Sequence, residues 1–483
     1  MNPAMVQRIL GFVLIALGAT LVAPIAVSLG YDDGHSWPFV VGLAVALGSG
    51  IACWLPVRNV HQELRLRDGF LLVVLLWVVV VLAGAVPLFV SPVPGLAFTD
   101  AVFESTAGYT TSSGTVLTGI EHLPKSMLWY RQQMQWLGGG GTIVLAVAVL
   151  PLLGVGGMQI SKADTPGPVK QEKLTPRVMQ TARALWVVYL GITAACAFSF
   201  YVAGMQGFDA VGHAFATVST GGFSTWDAGL GHFDSFAIDM VAVVFMFFGG
   251  VNYAMHFLAW RNKDVDTYYM DPQFRIYLWL TVLLVALVTA YLYGSHTYRS
   301  LPQAFRFAAL QVVSMQTTTG YTTAPFSLWP GPMPVLLVLL TFVGGCAGST
   351  SGGITIIRWQ LVVKQGMREL KRLVHPNAEL PVKFADKRVP GRILAAVTGF
   401  FAMYLLLFGV MMLLLMATGL DQVSAWSAIA SCLNNGGAAL GQVAQTFHTV
   451  PEAGKWVCIA AMLIGRLEVF TLLVLFTPAF WRH

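Results

Sequence analysis

Long apolar runs separated by short polar breaks recur from one end of the chain to the other. Full-length runs lie near residues 8–30, 39–56, 69–91, 129–153, 183–204, 236–260, 274–293, 332–357, 392–418 and 454–480. About 20 helical residues cover the roughly 30 Å hydrocarbon core of a bilayer, so each run is long enough to cross. Ten transmembrane helices are predicted. The first run leads straight into further spans and lacks a small-residue cleavage motif, so it reads as a span and not as a leader.

A different kind of segment sits between spans three and four, five and six, seven and eight, and nine and ten. Each is an apolar stretch too short to cross, ending in a cluster of Ser, Thr, Asn and Gly: residues 103–114, 215–225, 313–323 and 429–441. A half-helix that enters the membrane and returns through an extended polar stretch fits this pattern, provided its backbone lines water or protein. Taking Ser113, Gly222, Gly320 and Gly437 as equivalent points gives intervals of 109, 98 and 117 residues. That is a fourfold repeat of span, re-entrant loop and span. The expected fold is an all-α polytopic membrane protein with two N-terminal helices (1–60). Four pseudo-symmetric units follow, 61–165, 166–265, 266–375 and 376–483, closing around one axis.

The loop clusters carry the candidate chemistry. They are Thr110, Thr111, Ser112 and Ser113; Ser219, Thr220, Gly221 and Gly222; Thr318, Thr319 and Gly320; and Asn434, Asn435, Gly436 and Gly437. A cation leaving water needs its hydration shell replaced by a ring of oxygens, which four converging loops can supply from backbone carbonyls. Glycine permits the dihedrals that turn carbonyls toward an axis, and hydroxyl and amide side chains can hold such a loop in place. Any one cluster alone reads as a polar turn; four in matching positions carry the argument. None offers a carboxylate, which disfavours a divalent ion. Glu104, at the first short helix, reads equally as a cation attractor at the mouth and as a helix cap.

Span eight is interrupted by a small-residue run containing Gly344, Gly345, Gly348, Ser349, Gly352 and Gly353. Such a run frees backbone groups that only a polar interior satisfies, so a constriction below the loops is expected. A plain helix contact through small residues is the competing reading. No Lys precedes the Ser/Thr pair, which argues against a phosphate loop. Arg466 lies mid-span, where a charge is costly without a partner. Glu468 is two positions away and points to another helix face. The expected partner of Arg466 is therefore the carbonyl-rich break in span eight, with a carboxylate on another helix as the rival. The run Gly138 to Gly141 reads as close helix packing, and His213 as a packed residue rather than a ligand.

Composition and charge narrow the class further. The chain is 56% hydrophobic and 10% charged, against about 25% charged in soluble domains. Of 28 Lys and Arg, 22 fall at the termini or in one set of alternate loops, five in the other set, and Arg466 within a span. This is the positive-inside pattern. It accounts for the net charge of +6 without a nucleic-acid partner and places both termini in the cytoplasm. The five cysteines occur singly, as buried thiols do. No G-x-S-G occurs and no His or Lys base lies at a matching depth, so an intramembrane enzyme is excluded. A coupled carrier also uses broken helices, but carriers usually show two inverted halves, and four equivalent loops favour a pore.

At these residues the sequence resembles the TrkH/TrkG translocation subunits of the Trk/Ktr/HKT superfamily over nearly its whole length. The most specific stretches are residues 136–159, 166–177, 213–228, 344–358, 369–377 and 464–481. The resemblance implies potassium uptake across the bacterial inner membrane, with K+ as the transported ion and no organic cofactor. It implies one pore per subunit, with Ser113, Gly222, Gly320 and Gly437 shaping the filter, the broken span acting as an intramembrane gate, and Arg466 close to that gate. It further implies a homodimer regulated by a cytosolic ring of TrkA-type nucleotide-binding subunits. The basic segment Arg358 to Arg392 is then a candidate docking surface, with attraction to anionic membrane lipid as the competing role.

Two departures matter. The first loop reads Thr-Thr-Ser-Ser-Gly where the family usually has Thr-Thr-Thr-Gly-Ala, so either Ser113 takes the glycine position or the register slips to Gly114. In plant HKT relatives a serine there accompanies sodium permeation, which keeps a pore also passing sodium as an alternative; a sodium- or proton-coupled potassium symporter stays a separate alternative because of the broken helix. Thr355 stands where relatives commonly have a lysine.

Overall fold

The computed structural model describes residues 2–60, 65–146, 174–385, 387–467 and 469–481. Among them, six helices are long and apolar enough to cross a bilayer: Pro3–Tyr31, Trp37–Val57, Arg67–Val90, Gln180–Val202, Pro272–Gly294 and Gly391–Ala417. They coincide with expected spans one, two, three, five, seven and nine. Their outward faces carry Phe12, Leu82, Phe198, Trp279 and Leu405, all exposed. Apolar side chains cover the outside because the surrounding solvent is hydrocarbon.

The remaining expected spans differ. The eighth unwinds between Met333–Val343 and Ile356–Val374, as its glycines suggested. Two further breaks were not expected. Phe236–Gly249 and Tyr253–Asn262 meet at 95°, and Glu452–Arg466 and Val469–Phe476 at 108°. At the first of these Asn252 starts a new helix, its side chain accepting the Ala254 N–H at 2.9 Å. Lys125–Val144 occupies the start of expected span four but buries Arg131, Gln132, Gln133 and Gln135 within the protein. The rest of that span, the boundary near 165, part of the 166–177 stretch, Glu468 and Arg482 lie outside the described residues.

Four short helices, Phe98–Tyr109, Gly207–Val218, Leu301–Gln316 and Gln422–Leu433, lead into the four polar clusters. Between Ala101 and Tyr109 every residue of the first is buried, as is every residue of the third between Ala308 and Gln316. Ion pairs tie neighbours together near their outer ends: Lys455 to Asp100 at 2.6 Å and Arg306 to Asp239 at 2.6 Å. Asp227 accepts the Gly119 and Ile120 amides at 2.8 and 3.0 Å, joining the first and second loop regions.

One feature corrects the all-α expectation. Lys383–Phe384 and Lys387–Arg388 form a small antiparallel hairpin in the basic segment. Phe384 packs there with Val382, Val389 and Ile393, an apolar cluster too short to register as a strand signal in the sequence.

Candidate functional site

The four loops leave their short helices in the same way. The N–H groups of Thr111, Thr220, Thr318 and Asn435 each donate to a carbonyl three residues back at 3.1 Å, and those of Ser112, Gly221, Thr319 and Gly436 to a carbonyl five back at 2.8 Å. Thr111, Thr220, Thr318 and Asn435 have φ of 55°, 51°, 56° and 55°, a left-handed conformation uncommon outside glycine. Two residues on, Gly222, Gly320 and Gly437 have φ of 78°, 77° and 73°. Counted from the shared left-handed residue, Ser113 and not Gly114 takes the corresponding step. It does so without the positive φ of the glycines.

These positions meet. A Cβ on Gly222 would lie 1.9 Å from the Thr319 carbonyl oxygen and 2.8 Å from Ser113 Cβ. On Gly320 it would lie 2.1 Å from the Gly436 carbonyl, and on Gly437 2.1 Å from Ser113 Oγ. The Ser113 hydroxyl donates to the Gly436 carbonyl at 3.0 Å and approaches that of Gly320 at 3.4 Å. The residues before the left-handed step turn inward to the protein. Thr110 Oγ1 donates to the Thr106 carbonyl and Ser219 Oγ to Ala216, while Asn434 bridges the Tyr404 and Thr341 hydroxyls.

The break in span eight packs against the base of the loops. Thr350 Oγ1 donates to the Val218 carbonyl at 3.1 Å and receives a bond from Thr220 Oγ1 at 3.2 Å. Ser351 Oγ donates to the Thr317 carbonyl, and the Gly352 N–H to Thr318 Oγ1 at 2.7 Å. Gly353 N–H reaches the Asn434 carbonyl at 3.1 Å. Gly344 and Gly345 close on Gly352 and Gly250, where a Cβ would approach backbone oxygens to 2.5 and 2.6 Å. Gly348 accepts the Tyr253 N–H, and Ser349 bonds back to Cys346. A cavity of about 80 Å³ borders this segment, lined in part by Ser349, Gly352, Arg358, Tyr404 and Arg466.

Arg466 connects the break to the remaining loop. Buried at the end of Glu452–Arg466, it donates to the Thr350 carbonyl at 3.1 Å and to Thr111 Oγ1 at 2.7 Å. The carbonyl partner is the expected one; the Thr111 contact was not foreseen. Glu104 meets neither expectation, because it is fully buried and paired with Arg131 at 2.8 Å while accepting from Thr115 and the Val116 amide. His213 is a packed residue, bonded to the Asp209 carbonyl and Ser224 Oγ. The glycine run behaves as packing at Gly138, Gly139 and Gly140, where a Cβ would lie 2.0, 2.7 and 2.4 Å from neighbours, and is open at Gly141. The buried residues the sequence reading missed are Arg131 and Gln135. Their signal was present: four polar side chains in six residues inside a run read as a span.

A family model described as TrkH, cation transport protein, matches residues 35–483. The chain belongs to the TrkH family. Trk system potassium uptake protein TrkH of Halomonas elongata is 48% identical over 482 residues, covering 100% of both chains. The Vibrio parahaemolyticus protein of that name is 50% identical over 477 residues, 98% of each. TrkG of Escherichia coli is 35% identical, covering 99% of this chain and 98% of its own. The crystal structure of the potassium transporter TrkH from Vibrio parahaemolyticus superposes with a TM-score of 0.94 at 47% identity over the full length of both. TrkH-family proteins are ion transporters and not enzymes, and this chain is a multi-pass membrane protein.

Proposed function

We propose that this TrkH-family chain takes potassium into the bacterial cell across the inner membrane, through a filter formed by its four loops. The observation that carries the reading is the shared backbone course of the loops and their meeting at Ser113, Gly222, Gly320 and Gly437. Carbonyls brought to one point by left-handed turns are the material of a ring that replaces cation hydration. In this reading ten spans arrange as two N-terminal helices and four units around one axis. The segment Gly344 to Gly353, held by Arg466, is the gate, and K+ is cargo, not a resident cofactor.

Relatives named as Trk system proteins support a multi-component assembly. The proposed assembly is a homodimer served by a cytosolic TrkA-type nucleotide-binding subunit, docking in part on the basic segment Arg358 to Arg392 with both chain termini on the same side. Anionic lipid remains the competing occupant of that segment.

Replacing Gly320 with valine is expected to abolish rubidium uptake into proteoliposomes while leaving the protein monodisperse, since its Cβ meets the Gly436 carbonyl at 2.1 Å. Uptake equal to wild type removes the filter assignment. One observation favours a variant of this reading in which sodium also passes: Ser113 stands at the step the other loops give to glycine. Ser113→Gly is then expected to raise the rubidium to sodium flux ratio. Coupled symport is separated by reversal potentials, which shift with imposed sodium or proton gradients in a symporter and not in a pore.

A further inference from the structure

The helix Lys125–Val144 presses a row of residues into the seam between the first and second loops. Gln135 is fully buried there. Its amide nitrogen donates to the Ser112 carbonyl at 3.1 Å and to the Gly221 carbonyl at 2.7 Å, and its amide oxygen accepts the Phe223 N–H at 2.9 Å. Both amide donors and the acceptor are thus engaged, each with loop backbone. One turn earlier on the same face, Arg131 donates to the Ser224 carbonyl at 3.2 Å and pairs with Glu104, which holds Thr115. One turn later, Gly138 has no room for a side chain against the Tyr109 carbonyl. The helix is therefore seated against both loops along its length.

Ser112 and Gly221 occupy the same step of their loops as Thr319 and Gly436, by the shared hydrogen-bond pattern. The Thr319 and Gly436 carbonyls turn toward Gly222 and Gly320 of the neighbouring loops. The four carbonyls thus belong to one corresponding step of the loops, and two of them, from the first and second loops, are tied by a single amide group.

We propose that Gln135 is a strut that fixes the separation of the Ser112 and Gly221 carbonyl oxygens and so sets the size of the oxygen ring the cation meets. The inference rests on the filter reading above. Ion discrimination depends on the number, spacing and field of the coordinating oxygens. A small cation draws its oxygens inward, which requires breaking one or both Gln135 bonds; a larger one leaves them in place. The strut thereby favours the larger alkali ion, opposing any relaxation introduced by Ser113. Gln135 acts through the carbonyls and is a positioning residue, not an ion ligand.

The test uses the full-length chain in proteoliposomes, with rubidium and sodium uptake measured separately. Gln135→Leu keeps the volume and removes every bond; it is expected to lower the rubidium to sodium ratio at least about tenfold, the equivalent of about 1.4 kcal/mol. Gln135→Asn keeps the amide but withdraws it by one methylene, and serves as the deciding variant if the leucine form does not assemble. Gln132→Leu is the control: Gln132 is 1% exposed on the same helix, and neither of its amide atoms has a hydrogen-bond partner among the described residues. It is expected to leave the ratio unchanged. Wild-type ratios in Gln135→Leu and Gln135→Asn, or an equal fall in Gln132→Leu, overturn the strut. With Gly320→Val blocked, that result leaves the filter reading standing; a fully conducting Gly320→Val removes the filter and the strut together.

Discussion

Glu104 and Arg131 are both almost wholly buried, and their 2.8 Å contact is surrounded by Thr115, Val116, Ser224 and the Phe223 ring. Removing one member of a buried pair strands the other charge, at a cost of about 3–5 kcal/mol, whereas replacing both with apolar groups is often tolerated. Glu104→Gln is therefore expected to lower the thermal unfolding midpoint in detergent sharply, and Glu104→Gln with Arg131→Met to lower it by less than the sum of the singles. Additive losses would contradict the pairing. Arg466 poses a different question, because its two bonds join the span-eight break to the first loop. Each hydrogen bond to a charged donor contributes about 1.5–3 kcal/mol. Arg466→Met is expected to loosen that junction and raise rubidium leak in the absence of any cytosolic partner. Leak at the wild-type level would count against a latch.

Three of the elements that pack against the loops are interrupted where they approach them. Gly250 lies at the 95° bend, and a Cβ there would sit 2.4 Å from the Tyr277 hydroxyl. Its carbonyl meanwhile accepts the Cys346 N–H at 2.8 Å, so one break holds the other. Overpacking such a site costs about 1–3 kcal/mol. Gly250→Val is expected to destabilise the protein by that amount, with partial recovery when Tyr277 is also changed to leucine; equal stability of Gly250→Val and wild type would show that the bend has slack. The broken helices serve the same need. Carbonyls and amides freed from helical pairing can reach the loops only where protein, and not lipid, surrounds them.

At the scale of the whole molecule, the uneven distribution of Lys and Arg is the basis of the proposed orientation. The 22 cationic residues that the sequence pattern assigns to the cytoplasmic side include Lys383, Lys387 and Arg388 of the hairpin. A membrane-impermeant maleimide is expected to label Lys387→Cys in inside-out vesicles only and His296→Cys in intact spheroplasts only. The reverse pattern would invert the topology. Of the native cysteines, four are buried and Cys53 is half-buried, which keeps their background low.

The sequence by itself determined the solvent, six of the long spans, the four short segments and the spacing between their polar clusters. Those follow from apolar run length and from residues that cannot remain in lipid unpaired, and both are written locally. It left open whether Ser113 or Gly114 matched the glycines. That depended on the left-handed residue at Thr111, a backbone angle that a threonine does not announce. Only the tertiary structure decided the bends at Gly250 and Arg466, the burial of Glu104 and the three bonds of Gln135. Each depends on which carbonyl from a distant segment stands opposite, and hydrogen bonds between residues 86 or 116 positions apart have no local sequence signature.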